Sequence, residues 1–153
     1  MRLTKYLKAN CILLDLEEEE KDSALLKLVN VLKEKGLIKN DKKIFSKLME
    51  REKLQTTAVE KGVAIPHCLS NEIKDLIIIF ARAKKGVNFK SVDKKSTRLI
   101  FLLLGNKDNP GLHLRALARL ARLIKETKFV EKTIHCSSVQ EMVRTFDEEE
   151  GKI

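Results

Sequence analysis

The side chains of this 153-residue sequence best suited to group-transfer chemistry are three histidines, His67, His113 and His135, one arginine, Arg51, and the hydroxyls of Thr56 and Thr57. Imidazole is the one side chain whose ordinary pKa falls between pH 5 and 8, so at neutral pH it can act as nucleophile, base or metal ligand. His67 closes the run Lys61-Gly62-Val63-Ala64-Ile65-Pro66-His67. Residues 63–65 read as a short strand, and Pro66, with a fixed φ and no N–H, is expected to end it. The imidazole is thereby expected where the chain leaves a sheet, on a stiff approach; an ordinary loop histidine is the competing reading. His113 follows Asn109-Pro110, a helix start in which Asn caps and Pro takes the first helical position. At about 100° per residue it shares a face with Leu117, Leu120 and Ile124, which turns it toward the core. A helix N-terminus favours anions and opposes a protonated imidazole; a buried structural histidine is the alternative.

His135 has no partner in sequence and reads as structural or exposed. Arg51, in Met49-Glu50-Arg51-Glu52, can complement a helix C-terminal dipole or grip a phosphate in bidentate fashion. Thr56 and Thr57 can donate to phosphate oxygens or shape a turn. The cysteines, Cys11, Cys68 and Cys136, are odd in number, far apart and without CxxC spacing, so reduced thiols are expected rather than a disulfide framework. The pairs His67-Cys68 and His135-Cys136 lack the spacing a single ion needs, and no metal site is expected.

The elements that would position these groups are legible from periodicity. Leu25, Leu28, Val29 and Leu32 predict an amphipathic helix over residues 22–35, capped by Asp22 or Ser23 and stopped by Gly36. A second helix from Asp41 should bury Ile44, Phe45, Leu48 and Met49, and Arg51 closes it. Residues 63–65, 76–83 and 97–104 are β-branched or continuously apolar, as strands covered on both faces are. Gly86 with Asn88, and the polar residues 91–96, are the expected turns. Helices follow from Pro110, from Thr127 and from Ser138, the last with a capping box to Glu141. Helices flanking one small sheet make an α/β or α+β domain, and the length suits a single one over residues 1–153.

The formal charge is +9, from 31 Lys and Arg against 22 Asp and Glu, which raises nucleic acid as a partner. The excess is regional: residues 82–132 hold 14 Lys and Arg but 4 Asp and Glu. The stripe Arg115, Arg119, Arg122 and Lys125 centres away from the face of His113 and should be solvated. No helix-turn-helix, zinc-finger or RNA-binding signature accompanies it, so nucleic acid is not the expected partner. No apolar run approaches a membrane span, and residues 11–14 are too short for a signal-peptide core, so a cytoplasmic protein is expected.

Arg51-Glu52-x-Leu54-x-Thr56-Thr57, then Gly62-x-Ala64-Ile65-Pro66-His67, then His113 opening a helix, resemble the fructose/mannitol type of enzyme IIA of the bacterial phosphotransferase system (EIIA type-2), including its nitrogen-regulatory paralogues. The similarity covers nearly the whole chain, and Gly86-Val87-x-Phe89 through Leu104 is similar to the family's hairpin and core strand. The resemblance implies an α/β fold with a single small mixed sheet flanked by helices, and a phosphotransferase with a phosphohistidine intermediate and no cofactor. It implies that His67 accepts phosphate from the carrier HPr, or an HPr-like carrier. The phosphate then passes to a IIB domain, or serves as a signal read by a target protein. By the same resemblance Arg51 stabilises the phosphate, His113 donates to a phosphate oxygen, and Thr57 gives a supporting hydrogen bond. Cys68 departs from the glycine usual after the histidine, where a positive φ would be resisted by any side chain.

Overall fold

The computed structural model describes all 153 residues. Its sheet is built from β1 (Ile12–Leu13), β2 (Val63–Ala64), β3 (His67–Ser70), β4 (Leu76–Val87) and β5 (Thr97–Asn106). The strand order is β1-β4-β5-β2, with β3 on β5 beyond β2. The long apolar strands β4 and β5 form an antiparallel hairpin in which Phe80 faces Phe101; β1 joins β4 in parallel, and β2 and β3 both join β5 in parallel. The sheet is therefore mixed, as the family resemblance implied.

Alternation along the strands sorts side chains to two faces. Ala64, Cys68, Ile79, Ala81, Ile100, Leu102 and Leu104 pack on one face beneath α1 (Lys21–Glu34) and α2 (Asp41–Leu54). Val63, Ile65, Ile78, Phe80, Phe101 and Leu103 pack on the other beneath α3 (Pro110–Glu126), α4 (Phe129–Thr133) and α5 (Val139–Glu150). Four phenylalanines, Phe80, Phe101, Phe129 and Phe146, are fully buried there, with ring centroids 4.5–5.9 Å apart. Each such burial contributes roughly 1.5–3 kcal/mol, which makes this layer a rigid backing for β5. No helix is long and apolar enough to cross a membrane.

Several local expectations are refined by tertiary structure. Asn40, Asn109 and Ser138 cap α2, α3 and α5 through their side chains. The start of α1 differs: Glu20 is its N-cap without a side-chain bond, and the Ser23 hydroxyl instead donates to the Glu20 carbonyl. Gly86 is not a turn; β4 runs on to Val87 with a register shift after Arg82, and the chain reverses beyond it. Pro66 interrupts the sheet edge but does not end it. Its carbonyl accepts from Leu103 N–H at 3.0 Å, and pairing resumes at once with His67 opposite Leu103. In the basic stripe Arg115, Arg122 and Lys125 are exposed, whereas Arg119 is half-buried, its Nε 2.6 Å from the buried Glu150 carboxylate. α5 places that carboxylate where it also accepts Leu3 N–H at 2.6 Å.

Candidate functional site

His67 begins β3, so it lies on a hydrogen-bonded strand rather than where the chain leaves the sheet. Its Nδ1 is 2.7 Å from the carbonyl oxygen of Ile65, two residues back. A carbonyl only accepts, so the proton sits on Nδ1 and Nε2 keeps its lone pair. The His67 pKa is lowered, first by burial, against the Ile65 bond, which raises it; Arg51 lowers it and Glu52 raises it. The neutral, nucleophilic form is thereby favoured at neutral pH.

His67, Arg51, Gln55, Thr56, Thr57, Val59, Ile65 and Leu117 line one cavity of about 270 Å³. Arg51 sits in the last turn of α2, three residues before its end, where its Nη1 donates to the Gln55 carbonyl at 2.8 Å. That bond folds the guanidinium back along the helix end and leaves its other donors for an anion.

His113 is on the first turn of α3, 5% exposed, with its ring centroid 5.5 Å from that of His67. Its Nδ1 is buried without a hydrogen-bond partner. That nitrogen lies against Gly105 of β5: a Cβ there would come within 2.5 Å of it. Nδ1 goes unpaired in either tautomer, but a proton on it would be pressed into the Gly105 Cα–H that fills this space, whereas a bare nitrogen fits there. The proton therefore belongs on Nε2. The His113 pKa is pushed down to about 4, by burial first and by His67 second, so the ring is neutral at neutral pH. The two imidazoles thus carry opposite tautomers: His67 presents a lone pair at Nε2, His113 an N–H.

Thr57 departs from the role implied for it. Its hydroxyl, 5% exposed with the rest of the side chain, donates to the Glu52 carboxylate, and its N–H donates to the same carboxylate at 3.1 Å. The Thr56 hydroxyl donates to the Phe89 carbonyl at 2.7 Å. Both hydroxyl protons are committed within the protein, so these residues shape the cavity wall. Cys68 is buried toward α2, on the face opposite His67, in extended backbone without positive φ. Nothing here requires a glycine, and burial pushes the thiol up to about 12, which makes it a small apolar core group. His135 is exposed between α4 and α5. No three His, Cys, Asp or Glu side chains gather into a metal-sized group.

Two residues of the site were not singled out in the sequence. Gly105, in an unbroken apolar strand, carries no signal of its own until His113 is placed over it. Glu52 does: Ile44, Leu48 and Glu52 recur every four residues, and the three are the buried residues of α2. A carboxylate on the apolar face of a helix calls for buried partners.

The family model for the phosphoenolpyruvate-dependent sugar phosphotransferase system, EIIA 2, matches residues 5–149. The chain belongs to that family. It is 36% identical over 132 residues to a nitrogen regulatory protein of Bradyrhizobium diazoefficiens, covering 86% of each chain. It is 29% identical over 139 residues to the fructose-specific EIIABC component of Bacillus subtilis, a match that takes in 90% of this chain but 22% of that longer protein. Among solved structures, the nitrogen regulatory protein IIA-Ntr of Neisseria meningitidis superposes with a TM-score of 0.85 at 30% identity, over 94% of this chain and 98% of that one. Membership makes the chain a phosphotransfer component of IIA type, with sugar-specific and nitrogen-regulatory proteins both among its relatives.

Proposed function

We propose that the chain is one cytoplasmic phosphotransfer domain that carries a phosphoryl group on Nε2 of His67. The observation that carries this is the 2.7 Å contact between His67 Nδ1 and the Ile65 carbonyl, which leaves Nε2 as the unprotonated nitrogen at a cavity shared with Arg51. The donor is a phosphohistidine of HPr or an HPr-like carrier. The Nε2 lone pair attacks phosphorus in line as the donor's P–N bond breaks, and the donor imidazole leaves with that electron pair. No proton moves at Nε2, and Nδ1 keeps its own. Little covalent work remains for the protein in such a transfer beyond positioning and charge stabilisation. Arg51 supplies a guanidinium for the equatorial oxygens, and Nε2–H of neutral His113 a further donor. Thr57 acts in this reading through the cavity wall and not by touching phosphate.

The group then passes to a IIB domain, a step supported by the Bacillus subtilis relative, whose name joins A, B and C components. The second reading, a nitrogen-regulatory module whose phosphorylation state is read by a bound target protein, is favoured by the 36% identity to a nitrogen regulatory protein over most of both chains. Both readings require the same first step. Incubation with phosphorylated HPr should label the wild-type chain and leave His67→Ala unlabelled; equal labelling of the two would overturn the assignment.

A further inference from the structure

We propose, on the basis of the carrier reading above, that Glu52 and Lys21 form a positioning pair for phosphoryl transfer, holding the segment after α2 in the one arrangement that keeps His67 and Arg51 in register. The hydrogen bonds form a continuous path. Glu52 accepts from the N–H and hydroxyl of Thr57. The Thr57 carbonyl accepts Ile65 N–H at 3.0 Å. The Ile65 carbonyl accepts His67 Nδ1–H at 2.7 Å. On the other side, the same segment presents the Gln55 carbonyl that receives Arg51 at 2.8 Å. One carboxylate therefore fixes both the group that sets the tautomer of the nucleophile and the group that aims the guanidinium.

Lys21 completes the arrangement from α1. Its Nζ is 3.0 Å from Glu52 Oε1, and its side chain is only 13% exposed. It also lies 5.1 Å from the Phe89 ring centroid, and the Phe89 carbonyl is the acceptor for Thr56. Thr56 and Thr57 are thus anchored on two sides of one turn. Glu52 is 6% exposed, and desolvating an ion pair costs about as much as its attraction returns. A leucine at that place would continue the apolar face of Ile44 and Leu48 without a charge to compensate. The contribution of the pair is accordingly geometric. Its charge also bears on the nucleophile: burial lowers the His67 pKa, the Ile65 bond raises it, Arg51 lowers it and Glu52 raises it. The buried His113 faces His67 from α3 and is neutral.

The test is 15N NMR of the histidine rings in the unphosphorylated chain, together with the rate of phosphate uptake from phosphorylated HPr. In the wild type His67 should show a protonated Nδ1 and a bare Nε2. In Glu52→Gln the two ring shifts should converge toward a tautomer mixture, and the transfer rate should drop roughly tenfold or more, with little change in KM, as small misplacements of reacting groups do. Thr57→Val should move both readouts in the same direction by less, and Thr57→Ser should restore them. A folded Glu52→Gln with wild-type ring shifts overturns the proposal. If that variant does not fold, Thr57→Val with wild-type ring shifts overturns it equally. If the wild type takes no phosphate, the carrier reading fails, while the ring shifts still decide whether Glu52 positions His67.

Discussion

The rings of His67 and His113 face each other with centroids 5.5 Å apart, and their surroundings differ in almost every physical respect. His67 belongs to a sheet edge, half-buried, with its Nδ1 tied to its own backbone. His113 belongs to the first turn of a helix, buried, with its Nδ1 tied to nothing and pressed on a glycine. One arrangement yields an acceptor nitrogen, the other a donor. In the proposed transfer two identical side chains are given unlike work, by a carbonyl acceptor in one case and by close packing on a glycine in the other. Neither assignment requires a charge on either ring.

The contrast can be broken first at the donor. His113→Ala should slow phosphate uptake from phosphorylated HPr by roughly 10²–10³, the loss typical of one removed transition-state donor, without abolishing it. Quench-flow measurement of labelled chain checks this; an unchanged rate would make His113 a core residue only. A second effect is on stability. The folded-state pKa of His113, about 4, lies below the ordinary 6.5, so the unfolded chain binds the proton more readily. Its contribution to stability is present above pH 6.5 and is lost as the pH falls through 4, by about 3 kcal/mol at most. Urea unfolding across that window should show the loss in the wild type and a smaller one in His113→Gln, where the lowered pKa of His67 still contributes.

Gly105→Ala, smaller as a chemical change, should displace the His113 ring, because the added Cβ would sit 2.5 Å from Nδ1. The expected result is about 1–3 kcal/mol of lost stability from overpacking and a transfer rate lower by roughly tenfold, with His67 ring shifts unaltered. Thermal unfolding and ring 15N spectra measure the two effects separately. Equal disturbance of both histidines would show that the two regions are not independently set.

Much of this architecture is legible in the sequence. The apolar runs of β4 and β5, the caps Asn109 and Ser138, and the apolar spacing of α1 and α2 depend on local chemistry, which sequence displays. The strand β3 was not legible, because His67–Ser70 is short, mixed in polarity and defined by pairing with β5 alone. Arg51, Thr57 and His67 were identified as candidates and do line one cavity, yet the hydroxyl of Thr57 turned out to be occupied by Glu52. Where a hydroxyl donates is decided by which carboxylate the fold brings beside it. The same reason separates Arg119 from its stripe: periodicity puts it on the polar side of α3, and the arrival of α5 buries it against Glu150. Gly105 shows the limit most plainly, since its meaning lies wholly in the ring above it.

The central claim is that His67 Nε2, and not Nδ1 or His113, receives the phosphoryl group. Phosphorylated 15N-labelled chain examined by 15N and 31P NMR tests it directly. A phosphate coupled to Nε2 of His67, with Nδ1 still protonated and His113 unmodified, is the predicted result. Phosphate on Nδ1 of His67, or on His113, would contradict it.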